Sequence, residues 1–208
     1  MTGLSLAPVL FTGCSLGMLH ALDPDHLMTI ASLSARTDEA GASVGRSETL
    51  RYAALWALGH GGLLVLIAMA AFLLGWTLPA VVPQLAERSV GLILIAAGAA
   101  LLWLRHPPHG QAPRLREKVP FAVGVVHGLA GSAAMLALVP IALYQPLMAV
   151  VYALVFSLGV LAGMMLFALA LGRAQLAMAQ QLPGLAKAFR LVLGLGALGM
   201  GTFWLAAA

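Results

Sequence analysis

Two histidines and two aspartates stand within seven residues near the start of the sequence. They belong to the segment His20-Ala-Leu-Asp23-Pro-Asp25-His26. Imidazole nitrogen combined with carboxylate oxygen suits borderline divalent ions such as Ni²⁺, Co²⁺ and Zn²⁺. Two carboxylates would also offset the double charge of such an ion where the dielectric is low. These four residues are therefore the first candidate metal ligands.

The residues on both sides of this segment are apolar. No charged residue occurs between positions 4 and 19, and none between 27 and 35. Because an uncompensated charge in hydrocarbon is costly, acidic groups inside a membrane usually have a function. We interpret the segment as a cation-binding site within a membrane. The competing interpretation is a polar helix end at the membrane surface.

The spacing of the two histidines predicts a break in the helix that carries them. His20 and His26 are six positions apart, so on a straight helix they would point about 120° away from each other. Both can face one ion only if the helix is interrupted between them. Pro24 stands at that point; it has no N–H and clashes with the carbonyl of His20. We therefore expect the first helix to break at Pro24.

Two further histidines lie inside long apolar stretches. His60 is in Leu-Gly-His-Gly-Gly, and His127 is in Gly-Val-Val-His-Gly-Leu-Ala-Gly-Ser. Each is predicted to be a metal ligand or part of an ion pathway. The competing interpretation is that each only forms a hydrogen bond between packed helices. His106 and His109 stand in a proline-rich stretch that we interpret as a solvated turn.

The composition indicates an integral membrane protein. The 208 residues are 62% hydrophobic and only 9% charged, against about 25% charged in soluble domains, and the mean hydropathy is +0.99. The predicted fold is all-α and polytopic, a single transmembrane domain over 1–208 whose partner is the lipid bilayer. Six apolar segments are long enough to span it, at about 4–34, 52–76, 89–104, 120–143, 147–171 and 186–206.

The basic residues predict the orientation of these spans. Ten of the eleven Lys and Arg residues lie in loops 35–51, 105–119 and 172–190, and only Arg88 lies on the other side. Positive loops face the cytoplasm, so both termini are predicted to be extracytoplasmic. This placement at span ends also argues against a nucleic-acid partner. Four tryptophans fall near predicted span ends, where an aromatic belt is expected: Trp56, Trp76, Trp103 and Trp204.

The two halves of the chain resemble each other weakly. Gly17-x-x-His20-x-Leu matches Gly124-x-x-His127-x-Leu at an offset of 107, and Leu-Gly59 matches Leu-Gly159 at an offset of 100. Three spans per half would make the second copy inverted, as in many transporters. We predict repeats over about 1–104 and 120–208, joined by a cytoplasmic loop at 105–119. Chance matching of common residues is the alternative.

These motifs resemble those of the bacterial nickel/cobalt transporters, in particular the short six-span UreH-like and HupE-like branch. The resemblance implies a metal-recognition role for His20, Asp23, Asp25 and His26, with His60 as the second-helix histidine. It also implies a bacterial inner-membrane location and metalloenzyme maturation partners, for urease or hydrogenase. Pro24 departs from the small residue expected there, and the larger family members have eight spans.

The sequence therefore predicts a permease for Ni²⁺ or Co²⁺ that is not an enzyme and carries no cofactor. Transport of Zn²⁺, or a non-transporting accessory role, remains open, as does the oligomeric state. A thiol-redox carrier would need paired cysteines, and Cys14 is the single cysteine. An intramembrane hydrolase would need a metalloprotease or serine-hydrolase motif, which the sequence lacks, and no nucleotide-binding loop is present.

Overall fold

The structure is a computed structural model that describes residues 6–35, 46–75, 78–79, 81–103, 113–131 and 146–207. Within these ranges the chain is helical and has no strand. The seven helices are α1 (Leu6–His20), α2 (Pro24–Ser34), α3 (Arg46–Leu74), α4 (Val81–Trp103), α5 (Pro113–Ala130), α6 (Pro146–Gln181) and α7 (Pro183–Ala207).

Four of these helices, α3, α4, α6 and α7, are long and apolar enough to cross a membrane. The pair α1 and α2 passes the same test as one span bent by 57°, and α5 includes a shorter apolar helix from Lys118 to Ala130. The lengths and compositions are those of a helical membrane protein. Each predicted segment coincides with helix, but residues 132–143 of the fourth lie outside the described ranges, so the count of six stays a prediction.

Four predicted loops are shorter than the sequence suggested. The loop expected at 172–190 is wrong, because α6 runs to Gln181 and α7 begins at Pro183. Likewise α3 already begins at Arg46, α4 at Val81 and α5 at Pro113. Hydropathy marks only the part of a helix that lies in lipid, whereas Ala, Leu, Gln and Arg continue a helix beyond it at little cost.

The predicted break at Pro24 is confirmed. The amide of Leu22 donates to the carbonyl of Leu19 at 2.9 Å, and that of Asp23 donates to the carbonyl of His20 at 3.1 Å. These tighter turns end α1, and α2 begins with Pro24 in its first turn. Proline is favoured there because the missing N–H would have had no helical partner.

Glycines allow the helices around the break to pack backbone to backbone. A Cβ atom at Gly17 of α1 would collide with the carbonyl of Phe156 on α6, and one at Gly124 of α5 would collide with the carbonyl of Trp56 on α3. Small residues give membrane helices such close contact. These two crossings hold α1 against α6 and α5 against α3, and they place the histidines in the interior.

Candidate metal centre

Three histidines from three helices meet in the interior. His20 ends α1, His26 lies on α2 and His60 lies on α3, and one ring nitrogen of each lies within 4.8 Å of the others. Two nitrogens bound to one tetrahedral metal ion are about 3.4 Å apart, because each metal–nitrogen bond is about 2.1 Å. The widest pair would therefore have to approach by about 1.4 Å or less to bind one ion in this geometry.

The helix break orients His26. Its Nδ1 lies 3.0 Å from the carbonyl oxygen of His20. A carbonyl can only accept, so Nδ1 carries the proton and donates. The Nε2 atom is then left with its lone pair available for a metal, since a ring nitrogen's role follows from the bond that the other makes. His26 is 3% exposed, so the ring lies in the protein interior.

Asp23 orients His20 in a similar way. The Nδ1 atom of His20 lies 2.7 Å from Oδ2 of Asp23, so Nδ1–H donates to the carboxylate. The Nε2 atom is buried and has no hydrogen-bond partner among the described residues. A carboxylate behind a histidine is the usual outer support of a metal-ligating imidazole, because it fixes the ring and raises its basicity.

His60 is the most isolated polar group of the cluster. It is fully buried, and neither ring nitrogen has a hydrogen-bond partner within the described ranges. Its ring stacks on Trp56, with the centroids 4.9 Å apart and the planes 13° from parallel. Leaving a buried polar atom without a partner costs about 1–3 kcal/mol, and both nitrogens of His60 are available to a ligand.

A second group of candidate ligands overlaps the first. One carboxylate oxygen each of Asp23 and Asp25 and one nitrogen of His26 lie within 4.8 Å of one another. The Oδ2 atom of Asp25 is 3.9 Å from Nε2 of His26, which is too long for a hydrogen bond. The side chain of Asp23 is 47% exposed. The set of Asp23, Asp25 and His26 therefore forms the solvent-exposed side of the centre.

His127 lies beside the three-histidine group but is not part of it. Its ring centroid is 5.7 Å from that of His26. Its Nδ1 donates to the carbonyl of Val123 at 2.9 Å, and its Nε2 accepts a hydrogen bond from the hydroxyl of Thr29 at 3.2 Å. Of the six predicted ligands, the structure therefore brings five into the two groups and places His127 next to them. His106, His109 and Ser132 lie outside the described residues.

Two residues of the centre were missed by the sequence analysis. Trp56 was expected in the aromatic belt, which is wrong: it is fully buried, and its ring lies 4.8 Å from His26 and 5.4 Å from His127. Its position four residues before His60 puts both on one helix face, which is a signal that could have been used. Thr29, three residues after His26, follows the same rule.

Trp103 is 74% exposed at the end of α4, as a belt residue would be.

The fold and the centre define an α-helical membrane protein in which imidazoles and part-exposed carboxylates lie in metal-binding proximity. No family model matches the chain, and no solved structure matches it significantly. The chain is similar to the urease accessory protein UreH of Bacillus sp. (strain TB-90), with 27% identity over 83% of this chain and 79% of UreH.

Two plant proteins are also similar. Chloroplast protein FOR GROWTH AND FERTILITY 2 of Arabidopsis thaliana is 28% identical over 92% of this chain and 54% of its own length. Chloroplast protein FOR GROWTH AND FERTILITY 1 of the same plant is 29% identical over 92% and 57%. The chain thus spans most of UreH but only about half the length of the two chloroplast proteins. The similarity to UreH agrees with the predicted UreH-like resemblance.

Proposed function

We propose that this chain is a membrane carrier for a divalent transition-metal ion, with Ni²⁺ or Co²⁺ as the substrate and Zn²⁺ as the alternative. The observation that carries the proposal is the set of buried, hydrogen-bond-free nitrogens: both of His60 and Nε2 of His20, among the described residues. Imidazole is a good ligand for these ions, whereas Mg²⁺ and Ca²⁺ prefer oxygen.

The candidate ligands have distinct roles in this proposal. The Nε2 atoms of His20 and His26 and one nitrogen of His60 bind the ion in the interior. Asp25 supplies a carboxylate beside His26 and offsets part of the ion's charge, which lowers the cost of holding a cation away from water. Asp23, half-exposed, supports His20 and meets the hydrated ion at the open side of the centre.

We also propose that the two halves are inverted repeats, as transporters often have. The packing of the crossings supports this. Gly17 meets Phe156, and Gly124 meets Trp56; the two glycines differ by 107 positions and the two aromatic residues by 100, the same offsets that relate the sequence motifs. Each first helix of one repeat then packs on the second helix of the other.

The proposed location is a bacterial inner membrane, with both termini extracytoplasmic. The distribution of Lys and Arg supports this orientation: Arg46 begins α3, and Arg173, Lys187 and Arg190 lie around the junction of α6 and α7. Labelling of single introduced cysteines with a membrane-impermeant thiol reagent, in a Cys14→Ala background, tests it. Labelling of position 186 from the outside of intact cells would contradict it.

A non-transporting accessory role in metalloenzyme maturation is the second candidate. It is favoured by the similarity to UreH, which is named a urease accessory protein. In that case the centre would bind metal but the protein alone would not move it across a bilayer. Urease and hydrogenase maturation proteins are the proposed partners under either function.

Flux into liposomes that contain only the purified chain separates these proposals. Ni²⁺, Co²⁺ and Zn²⁺ are offered outside, and a chelating dye inside reports their arrival. We expect uptake of Ni²⁺ or Co²⁺ that His60→Leu abolishes. Leucine keeps most of the side-chain volume, and among the described residues no hydrogen bond is lost, so the fold should persist. Ser89→Ala, in α4 with its hydroxyl on the carbonyl of Leu85, is the control. Metal binding without uptake would contradict the carrier and favour the accessory role.

A further inference from the structure

Three helices contribute to two successive layers of the centre. In α2, in α3, and in α5 together with the residue that follows it, the two contributing residues are three or four positions apart, which is about one helical turn, or ~5.4 Å. The outer layer contains His26, His60 and Gly131, and the inner layer contains Thr29, Trp56 and His127. A Cβ atom at Gly131 would lie 3.6 Å from the ring of His60 and 3.7 Å from Nε2 of His20, which places this glycine at the level of the three histidines.

The inner layer lies on the side of the proposed cytoplasmic loops. Both α3 and α5 start from those loops, and in each helix the inner-layer residue precedes the outer-layer residue. In α2, Thr29 follows His26 and is closer to loop 35–51. An ion that leaves the three-histidine group toward the cytoplasm would therefore reach the inner layer next.

The inner layer already contains a metal-type ligand. Because Nδ1 of His127 donates to the carbonyl of Val123, its Nε2 carries a lone pair, as in a metal-bound histidine. That lone pair accepts a hydrogen bond from the hydroxyl of Thr29, with 3.2 Å between Oγ1 and Nε2, and both side chains are buried. A neutral hydrogen bond of this kind contributes little net free energy and can be exchanged for a stronger ligand.

Polar side chains continue beyond this pair on α2. His26, Thr29 and Ser32 follow one another at intervals of three, and each is at most 3% exposed. The hydroxyl oxygen of Ser32 has no hydrogen-bond partner in the part of the chain that the structure describes. Ser34, by contrast, donates its hydroxyl to the carbonyl of Ile30 in its own helix at 2.7 Å. These three buried polar side chains thus extend from the centre toward the proposed cytoplasmic end of α2.

We propose that Nε2 of His127 is a second binding position for the ion. The Thr29 hydroxyl stays hydrogen-bonded to this nitrogen until the ion leaves the three-histidine group. This inference rests on the carrier function proposed above. In the step, a metal–nitrogen bond to His127 forms as one to a histidine of the first group breaks. The Thr29 proton stays on its oxygen and gives up its hydrogen bond, so no proton or electron is transferred.

Three variants test this inference, with Co²⁺ as the probe for both equilibrium binding and flux. Thr29→Val removes the hydroxyl at nearly the same volume and leaves His127 free to join the ion. We expect it to bind Co²⁺ about fivefold more tightly, the factor that corresponds to a hydrogen bond, with one more nitrogen ligand in the X-ray absorption spectrum. Thr29→Ser keeps a hydroxyl and should match the wild type in both measurements.

His127→Gln should separate binding from movement. We expect Co²⁺ affinity within about twofold of the wild type and a flux at saturating Co²⁺ at least about tenfold lower, because the first group is intact and the next ligand is missing. In the double variant with Thr29→Val, the gain in affinity should disappear, since the two residues act through one contact.

The outcomes distinguish this inference from the carrier proposal. A wild-type protein that neither binds nor moves Co²⁺ would refute the carrier itself. If the wild type does both, the inference is overturned by a Thr29→Val variant with unchanged affinity and nitrogen count. A His127→Gln variant with wild-type flux would also overturn it. So would a His127→Gln variant that loses binding and flux together, because His127 would then belong to the three-histidine group or to the structural core.

Discussion

The Nδ1 atom of His26 lies 3.0 Å from the carbonyl oxygen of His20, the carbonyl that would receive the N–H of residue 24 in an unbroken helix. Pro24 has no N–H to offer. The break therefore does two things at once: it turns both histidines toward the same point, and it supplies an acceptor that leaves Nε2 of His26 with its lone pair. The helix break and the orientation of the His26 ring thus both depend on the carbonyl group of His20.

Restoring that N–H should weaken metal binding. In Pro24→Ala the new N–H competes with His26 for the carbonyl of His20, so the ring of His26 loses its orientation. We expect Co²⁺ affinity to fall about tenfold, as for loss of an outer support of a ligating histidine, in equilibrium dialysis. Pro8→Ala, in the exposed first turn of α1, is the control. Equal affinity in both variants would show that the proline does not prepare the site.

The role of Asp23 can be separated from that of a ligand. Asparagine at this position can still accept a hydrogen bond from His20 Nδ1–H through its amide oxygen, whereas alanine cannot. If Asp23 acts behind His20, Asp23→Asn should retain most of the Co²⁺ affinity, and Asp23→Ala should lose about 10–100-fold. Calorimetric titration measures both. An equal and large loss in the two variants would instead make Asp23 a direct ligand.

The close helix crossings predict which glycines tolerate a side chain. A Cβ atom at Gly124 would collide with the backbone of Trp56, whereas nothing lies within 4 Å of one at Gly199. We expect Gly124→Ala to destabilise the protein by about 1–3 kcal/mol through overpacking, and Gly199→Ala to have no such effect. Thermal unfolding in detergent compares them. Equal melting temperatures would contradict the described packing of α5 on α3.

Trp56 should report metal binding directly. Its ring stacks on His60 and contacts His26, so Ni²⁺ or Co²⁺ bound to these histidines lies close enough to quench its emission. We expect saturable quenching that Trp56→Phe removes and Trp103→Phe retains, since Trp103 is exposed at the far end of α4. Quenching that persists without Trp56 would place the bound metal elsewhere.

Much of this architecture follows from local chemistry. The membrane class, the helical segments and the break at Pro24 were predicted because apolar run length and the missing proline N–H act within a few residues. The loop boundaries were wrong because helix propensity does not stop at the membrane surface. Residue types also identified His20, His26 and His60 as candidates, although nothing in a linear sequence says that three helices bring them together.

The part of the centre that the sequence did not predict depends on tertiary packing. Trp56 lies near the start of an apolar run, so its position alone suggested the membrane interface; the crossing of α5 at Gly124 is what buries it. Thr29 carries no metal-type group and became relevant only through its contact with His127. Such partners are separated by many residues in sequence, and no periodicity within one helix reveals them.

The central claim is that the imidazoles of His20, His26 and His60 bind a divalent transition-metal ion. The most direct measurement is X-ray absorption at the metal edge of the purified wild-type chain loaded with Ni²⁺ or Co²⁺, beside His60→Leu treated identically. We predict one bound ion per chain with a shell that includes imidazole nitrogens, and loss of that ion in the variant. A shell of oxygen atoms alone, or one that is unchanged in His60→Leu, would contradict the claim.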